Sequence, residues 1–301
     1  MLLLGLFVVA SATCSSLWGQ CGGLYWSGPQ CCDSSSSCVY SNPWYSQCLP
    51  ATPTPAPTPL SPHPTPSTLP MFCPSASDLV LAYGGGTTTI DKQGWTTTGS
   101  GAVATKASFN VLGGWVNYTL DVSKALVGVN SNIYSISPSS IPSTGFTQTN
   151  YCDGAKTGSD WCIEIDWIES NGNCGGATTY HTIEGTGVGC TAWGCSTSYA
   201  YYSQTLFNMS FYYSPSGVIT AYRNNQPLAP VQPTPPSSVW QIIQQAYTAQ
   251  GAVIYSSQWT GWVPTISGCS TGNGNLAGST YKISNLRIQG HVVQGPIPTK
   301  C

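Results

Sequence analysis

Nine prolines fall between positions 49 and 70, in the run LPATPTPAPTPLSPHPTPSTLP. Proline removes a backbone donor and favours an extended polyproline geometry, so this run cannot pack into a core. It reads as a linker over 50–70, and O-linked sugars on its Ser and Thr residues would stiffen it further. It leaves a small body at 13–49 and a large one at 71–301. The 301 residues allow one sizeable core plus something small.

Residues 2–10, LLLGLFVVA, are strongly apolar but too short to span a bilayer. The run ends at Ala-Ser-Ala, so 1–12 reads as a secretory signal cleaved near Ala12. The chain has 14 cysteines, an even number whose density fits an oxidising compartment. Sequons stand at Asn117 and Asn208. Only 6% of residues are charged and the net charge is −2. No basic patch can form, which excludes a nucleic-acid partner. No membrane partner is expected either, and the chain is read as a monomer. The 33 glycines, 17 tyrosines and 11 tryptophans suit a β-rich protein that meets neutral polar ligands. Uncharged sugars are such ligands, because their C–H faces stack on aromatic rings.

The small body holds Cys14, Cys21, Cys31, Cys32, Cys38 and Cys48. A piece this short buries too little apolar surface and needs disulfide staples. Its runs WGQCGG, WSG, CC and NPWYSQC closely resemble the fungal-type family 1 cellulose-binding module. The resemblance implies a three-stranded knot with disulfides Cys21–Cys38, Cys32–Cys48 and Cys14–Cys31. It also implies a flat strip of Trp18, Trp44 and Tyr45, flanked by Gln47 and Asn42, that stacks on the glucose faces of cellulose. Trp26 is the expected packing aromatic.

The large body reads as all-β. Runs such as WVNYTLDV, FNMSFYY and YKISNLRIQG alternate apolar and polar residues between turn signals, the pattern of a sandwich or jelly roll. One helix is expected over 237–249, with a serine cap and Trp240, Ile243 and Tyr247 on one face. Eight cysteines allow 105 connectivities. Spacing alone suggests Cys152–Cys162 and Cys73–Cys301.

The chain has only three glutamates, and two of them sit in IEIDWIE, residues 163–169. On a strand, Ile163 and Ile165 point to the core while Glu164 and Asp166 share the other face. Glu169 would fall on the wrong face unless a β-bulge at Trp167–Ile168 inserts one extra residue. Glu164 and Glu169 would then lie roughly 13 Å apart along the backbone. Side chains leaning together bring the carboxyls to about 5–6 Å, the separation of retaining glycosidases. Repulsion among three acids keeps at least one protonated near neutrality, which supplies one nucleophile and one acid. A solvated strand edge or a calcium site is the alternative use of such a cluster.

The E-x-D-x-x-E run resembles the signature of the concanavalin-A-like glucanases, the retaining glycoside hydrolases of families 7 and 16. The continuation ESN and the closing YKISNLRIQG lean towards family 7. The resemblance implies a curved antiparallel β-jelly-roll with an open cleft. It assigns Glu164 as nucleophile, Glu169 as acid/base, and Asp166 as hydrogen-bonding and tuning Glu164. Thr179 and His181, on the ATTYHT strand, would share the cleft face, with His181 bonding the cleft carboxylates or the sugar. Trp259 is favoured over Trp262 as a sugar platform. Glu184 and the 190–195 loop would form a cleft rim, with Trp193 a further binding candidate.

The whole reads as a secreted endo-acting β-glucanase, held on cell wall by its cellulose-binding module, with cellulose surfaces and β-glucan chains as partners. No metal or organic cofactor is implied. The rival is a non-catalytic wall-binding lectin or adhesin with a jelly-roll body.

Overall fold

The computed structural model describes residues 14–22, 26, 28–29, 31–42, 45–50, 68–138, 162–182, 194–201 and 203–301, with backbone alone at 22, 37–42, 46 and 138. The signal segment, most of the linker and the expected Cys152 lie outside the described residues. The chain divides into two compact units, Met1–Pro66 and Ser67–Cys301.

The first unit is a three-stranded sheet of β1 (Gln20–Gly22), β2 (Ser36–Asn42) and β3 (Tyr45–Pro50), with β3 in the middle. Disulfides join Cys14 to Cys31 and Cys32 to Cys48. Cys21 is also disulfide-bonded, and the Cys38 side chain expected to meet it lies outside the described ones. Trp26 donates from its indole nitrogen to the Pro29 carbonyl at 2.9 Å.

The second unit begins with β4 (Met71–Phe72), β5 (Leu79–Gly84), β6 (Thr87–Asp91), β7 (Gly94–Thr98), β8 (Gly101–Thr105) and β9 (Ser108–Asn110). It continues with β10 (Trp115–Lys124), β11 (Asn130–Pro138), β12 (Cys162–Asn171), β13 (Gly175–His181) and β14 (Cys195–Ala200). Then come β15 (Leu206–Tyr213), β16 (Ile219–Arg223), β17 (Gln226–Pro227), α1 (Ser237–Ala249), β18 (Val253–Trp259), β19 (Thr280–Gln289) and β20 (His291–Gln294). The front sheet runs β14-β13-β12-β11-β18-β8-β5. The back sheet runs β17-β16-β15-β10-β19-β7-β6, with β4 also on β19. Every pairing in both is antiparallel.

The two sheets face each other across one core, the all-β jelly-roll sandwich that alternation leads one to expect. On β10, Val116, Tyr118, Leu120 and Val122 are buried while the residues between them are not. They meet Ile133, Ile163, Ile165 and Ile254 of the front sheet. A buried side chain of this size is worth about 1.5–3 kcal/mol, so a dozen of them outweigh any single polar contact in the fold.

The helix occupies Ser237–Ala249, with Val239, Ile243 and Tyr247 buried. Its N-cap is Pro236 rather than a serine, and no side chain caps it. The Pro236 carbonyl instead accepts from Val239 N at 3.0 Å. Cys73 is joined to Cys301, which ties the two ends of this unit together, and Cys174 is joined to Cys269.

Candidate active site

β12 is irregular for a physical reason. Ile163, Ile165, Trp167 and Ile168 all belong to the inter-sheet core, so two consecutive residues point inward. The Trp167 ring stacks on Phe211 at 5.8 Å and on Tyr118 at 6.1 Å. Its indole nitrogen donates to the Tyr213 hydroxyl of the back sheet at 2.7 Å. Holding Trp167 inward inserts one extra residue into the strand. The register slips accordingly, between Ile133 and Tyr134 on β11 and between Asp166 and Glu169 on β12. The Thr178 hydroxyl donates to the Trp167 carbonyl at 2.8 Å and satisfies an acceptor at the bulge.

The consequence is chemical. Glu164, Asp166 and Glu169 all lie on the outer face of the front sheet. Their partners on β13 are His181, Thr179 and Ala177, so Glu164 and Glu169 span four strand steps, roughly 13 Å of backbone. Without the bulge Glu169 would enter the core.

Glu169 is 9% exposed, and Asn130 donates from Nδ2 to its Oε1 at 3.1 Å. Burial first, and the Asp166 charge second, push its carboxyl up from 4.5 to about 8; the Asn130 bond and His181 pull it back only in part. Glu169 is therefore protonated at neutral pH. His181 lies with Nε2 at 3.2 Å from Asp166 Oδ2. His181 was expected to bond the cleft carboxylates or the sugar, and the carboxylate it meets is Asp166, which lies diagonal to it across the β12–β13 pair. Glu164 is the most exposed of the three.

Gly194 brings the next segment against this pair. Its φ is +80°, and a Cβ there would stand 3.1 Å from His181 Nδ1 and 2.8 Å from the Tyr180 carbonyl. Only glycine fits such an approach in a left-handed conformation. Glu184, Cys190 and Trp193 lie outside the described residues. Thr179 shares the face, with its hydroxyl 3.1 Å from that of Ser196.

Several members of this face went unread in the sequence. Asn130, Asn132 and Tyr134 share it on β11, in register with Trp259, Ser257 and Tyr255 on β18. Tyr134 and Tyr255 stack at 5.7 Å, and Asn132 Oδ1 accepts from Ser257 N and Oγ at 2.7 and 2.8 Å. Asn130 Oδ1 is buried with no hydrogen-bond partner among the described residues. The signal was the run NSNIYSIS, whose period-two pattern puts two amides and a ring on one face. Trp259 is half-buried opposite Asn130, so it stands on the acid face, while Trp262 is 50% exposed in the following loop. That loop is tied down by Cys174–Cys269 and by Asn171, whose Nδ2 donates to the Ser270 carbonyl at 2.8 Å.

In the first unit Trp18 is 57% exposed at φ +68°. The Gln47 amide nitrogen donates to the Trp18 carbonyl at 2.9 Å, bracing the turn that presents the ring. Tyr45 is half-buried; Trp44 and the Asn42 side chain lie outside the described residues. Residues 17–45 match the model of the fungal cellulose binding domain. The small unit is thus similar to a fungal cellulose binding domain. It is 76% identical over 37 residues to "Exoglucanase 2" of Hypocrea jecorina, which is 12% of this chain and 8% of that protein. It is 68% identical over 37 residues to "Endo-1,4-beta-xylanase B" of Phanerodontia chrysosporium, 12% of each chain. The chain thus spans about a tenth of the length of these relatives, all of it through the cellulose-binding domain.

Similar solved structures include a double mutant of the Humicola insolens endocellulase EGI, with TM-score 0.49 and 14% identity over 70% of this chain and 79% of that one. Another is a Melanocarpus albomyces cellobiohydrolase complexed with cellotetraose, with TM-score 0.46 and 14% identity over 68% and 80%. A laminarinase from Flavobacterium gives 0.42 and 10% over 67% and 81%.

Proposed function

We propose that the chain is a secreted, retaining endo-β-glucanase whose cellulose-binding domain holds it on the wall polysaccharide it cuts. The observation that carries this reading is the pair of unlike glutamates on one face: Glu169, buried and protonated at neutral pH, and Glu164, the more exposed one, four strand steps away. Glycoside hydrolysis needs that asymmetry.

Glu164 attacks the anomeric carbon while Glu169 delivers its proton to the departing glycosidic oxygen. A glycosyl ester on Glu164 results. Glu169, now ionised, takes a proton from water, which attacks the same carbon and restores the original anomer. Asp166, held by His181, keeps a second acidic side chain beside the reacting pair and favours the protonated form of Glu169. Trp259 offers a ring for sugar stacking beside the Asn130–Glu169 contact. A wall-binding lectin has no use for a bulge that aligns three acids, and a calcium site would not be favoured by a protonated Glu169.

The test is sugar release from a panel of pure β-1,4-, β-1,3- and mixed-linkage glucans, with the product anomer followed by NMR. Release of oligosaccharides from internal bonds as the β-anomer is expected. Inversion, or no release from any glucan, would overturn the reading.

A further inference from the structure

The opposite, outer face of the back sheet takes no part in the acid site, yet it carries a second arrangement. Across β16, β15, β10 and β19, Tyr222, Ser210, Asn117 and Arg287 stand in one row. In the next row Tyr212 pairs with Trp115. The Trp115 ring lies 5.0 Å from that of Tyr212 and 5.8 Å from that of Tyr222. Three rings thus border the space above Ser210, whose small side chain leaves it open. The Asn117 amide stands at its edge, with paired Cβ atoms about 4.5–5.5 Å apart. Asn117 is the first residue of the sequon Asn-Tyr-Thr, and its side-chain amide makes no hydrogen bond to the described residues. Among the described residues no cysteine is free, the mark of the oxidising compartment in which such asparagines are modified.

We propose that Asn117 carries an N-linked glycan whose innermost sugar rests on Trp115, Tyr212 and Tyr222. In the transfer, Nδ2 of Asn117 bonds to the anomeric carbon of the first sugar of a lipid-linked diphospho-oligosaccharide. The anomeric C–O bond breaks, the diphosphate departs, and one amide proton is released. The first sugar then extends over Ser210. Its C–H face meets the rings, and its hydroxyls and acetamide come within reach of the exposed Arg287. The second sequon supplies a contrast. Asn208 Oδ1 accepts from the Thr119 hydroxyl at 2.8 Å on the same face, and its register partner on β10 is Thr119 rather than an aromatic residue. A sugar there would stand in solvent.

The two sites separate in one experiment on the full chain expressed in a host that N-glycosylates. Glycopeptide mass spectrometry should find Asn117 occupied. Asn117→Gln should lower Tm by about 2–4 °C for a unit of this size, while Asn208→Gln leaves it unchanged. In a Trp115→Ser background the Asn117→Gln drop should vanish. Should that background fold poorly, enzymatic trimming of the wild type answers the same question: removal of all but the first sugar keeps Tm, and removal of that sugar lowers it. An unoccupied Asn117, or a Tm drop that is the same with and without Trp115, overturns the proposal. So does binding of cello-oligosaccharides by the deglycosylated protein that Trp115→Ser abolishes, since the shelf would then belong to free glucan.

Discussion

Replacing Glu169 with glutamine should stabilise the protein, and should do so only at higher pH. Burial beside Asp166 holds the folded-state carboxyl near 8, against 4.5 for the exposed group. The folded chain therefore binds more protons than the unfolded chain between those values, and stability falls as pH rises through the window. Below about 4.5 the group is protonated in both states and contributes no pH dependence. Above about 8 the full penalty of burying the charge is present. At about 1.36 kcal/mol per pH unit the ceiling is on the order of 5 kcal/mol. Water reaching the cleft side chain lowers the real figure. Glutamine keeps the shape and is neutral at every pH. Groups away from Glu169, Asp166 and His181 titrate alike in the two proteins, so the difference between them reports this coupled site. Calorimetry of both from pH 4.5 to 9 should show curves that run parallel at the acid end. They should diverge by roughly 5–15 °C in Tm at the alkaline end, at about 2–4 °C per kcal/mol for a unit of this size. A constant offset across the range, or a variant less stable than wild type at pH 8, would refute the burial argument.

Asn130→Ala removes the hydrogen bond that pulls the Glu169 carboxyl down. The alkaline limb of the kcat/KM profile, which the proposed acid/base role of Glu169 puts near pH 8, should move to higher pH while the acid limb stays. Trp18→Ala removes an exposed ring from the small unit proposed to bind cellulose. Cellulose affinity of the full chain in a depletion assay should fall about fivefold or more, the loss of roughly 1 kcal/mol, with turnover on soluble substrate unchanged.

The strand alternation in WVNYTLDV and the acid spacing in IEIDWIE made the sandwich and the acid face legible, because residues two apart must share a face. The bulge was legible for the same reason: five positions between two acids cannot share a face without it. The cause was not. Trp167 turns inward because Tyr118, Phe211 and Tyr213 of the other sheet hold it, and nothing local to β12 records those partners. That His181 meets a cleft carboxylate was expected from the resemblance; that the carboxylate is Asp166 was not legible. His181 lies on another strand, and which side chain reaches Asp166 depends on register rather than on sequence distance. Asn130 escaped notice because an asparagine at a strand start looks like a turn residue. Its role appears only once β11 is paired with β12.

The central claim is that Glu164 becomes covalently linked to sugar. A 2-deoxy-2-fluoro aryl β-cellobioside slows breakdown of the glycosyl-enzyme more than its formation, so the intermediate accumulates. Peptide mass spectrometry after incubation should find one fluorocellobiosyl group on Glu164 and none on Glu169 or Asp166, with the label absent in Glu164→Gln. A label on any other residue, or full turnover by Glu164→Gln, would contradict the account.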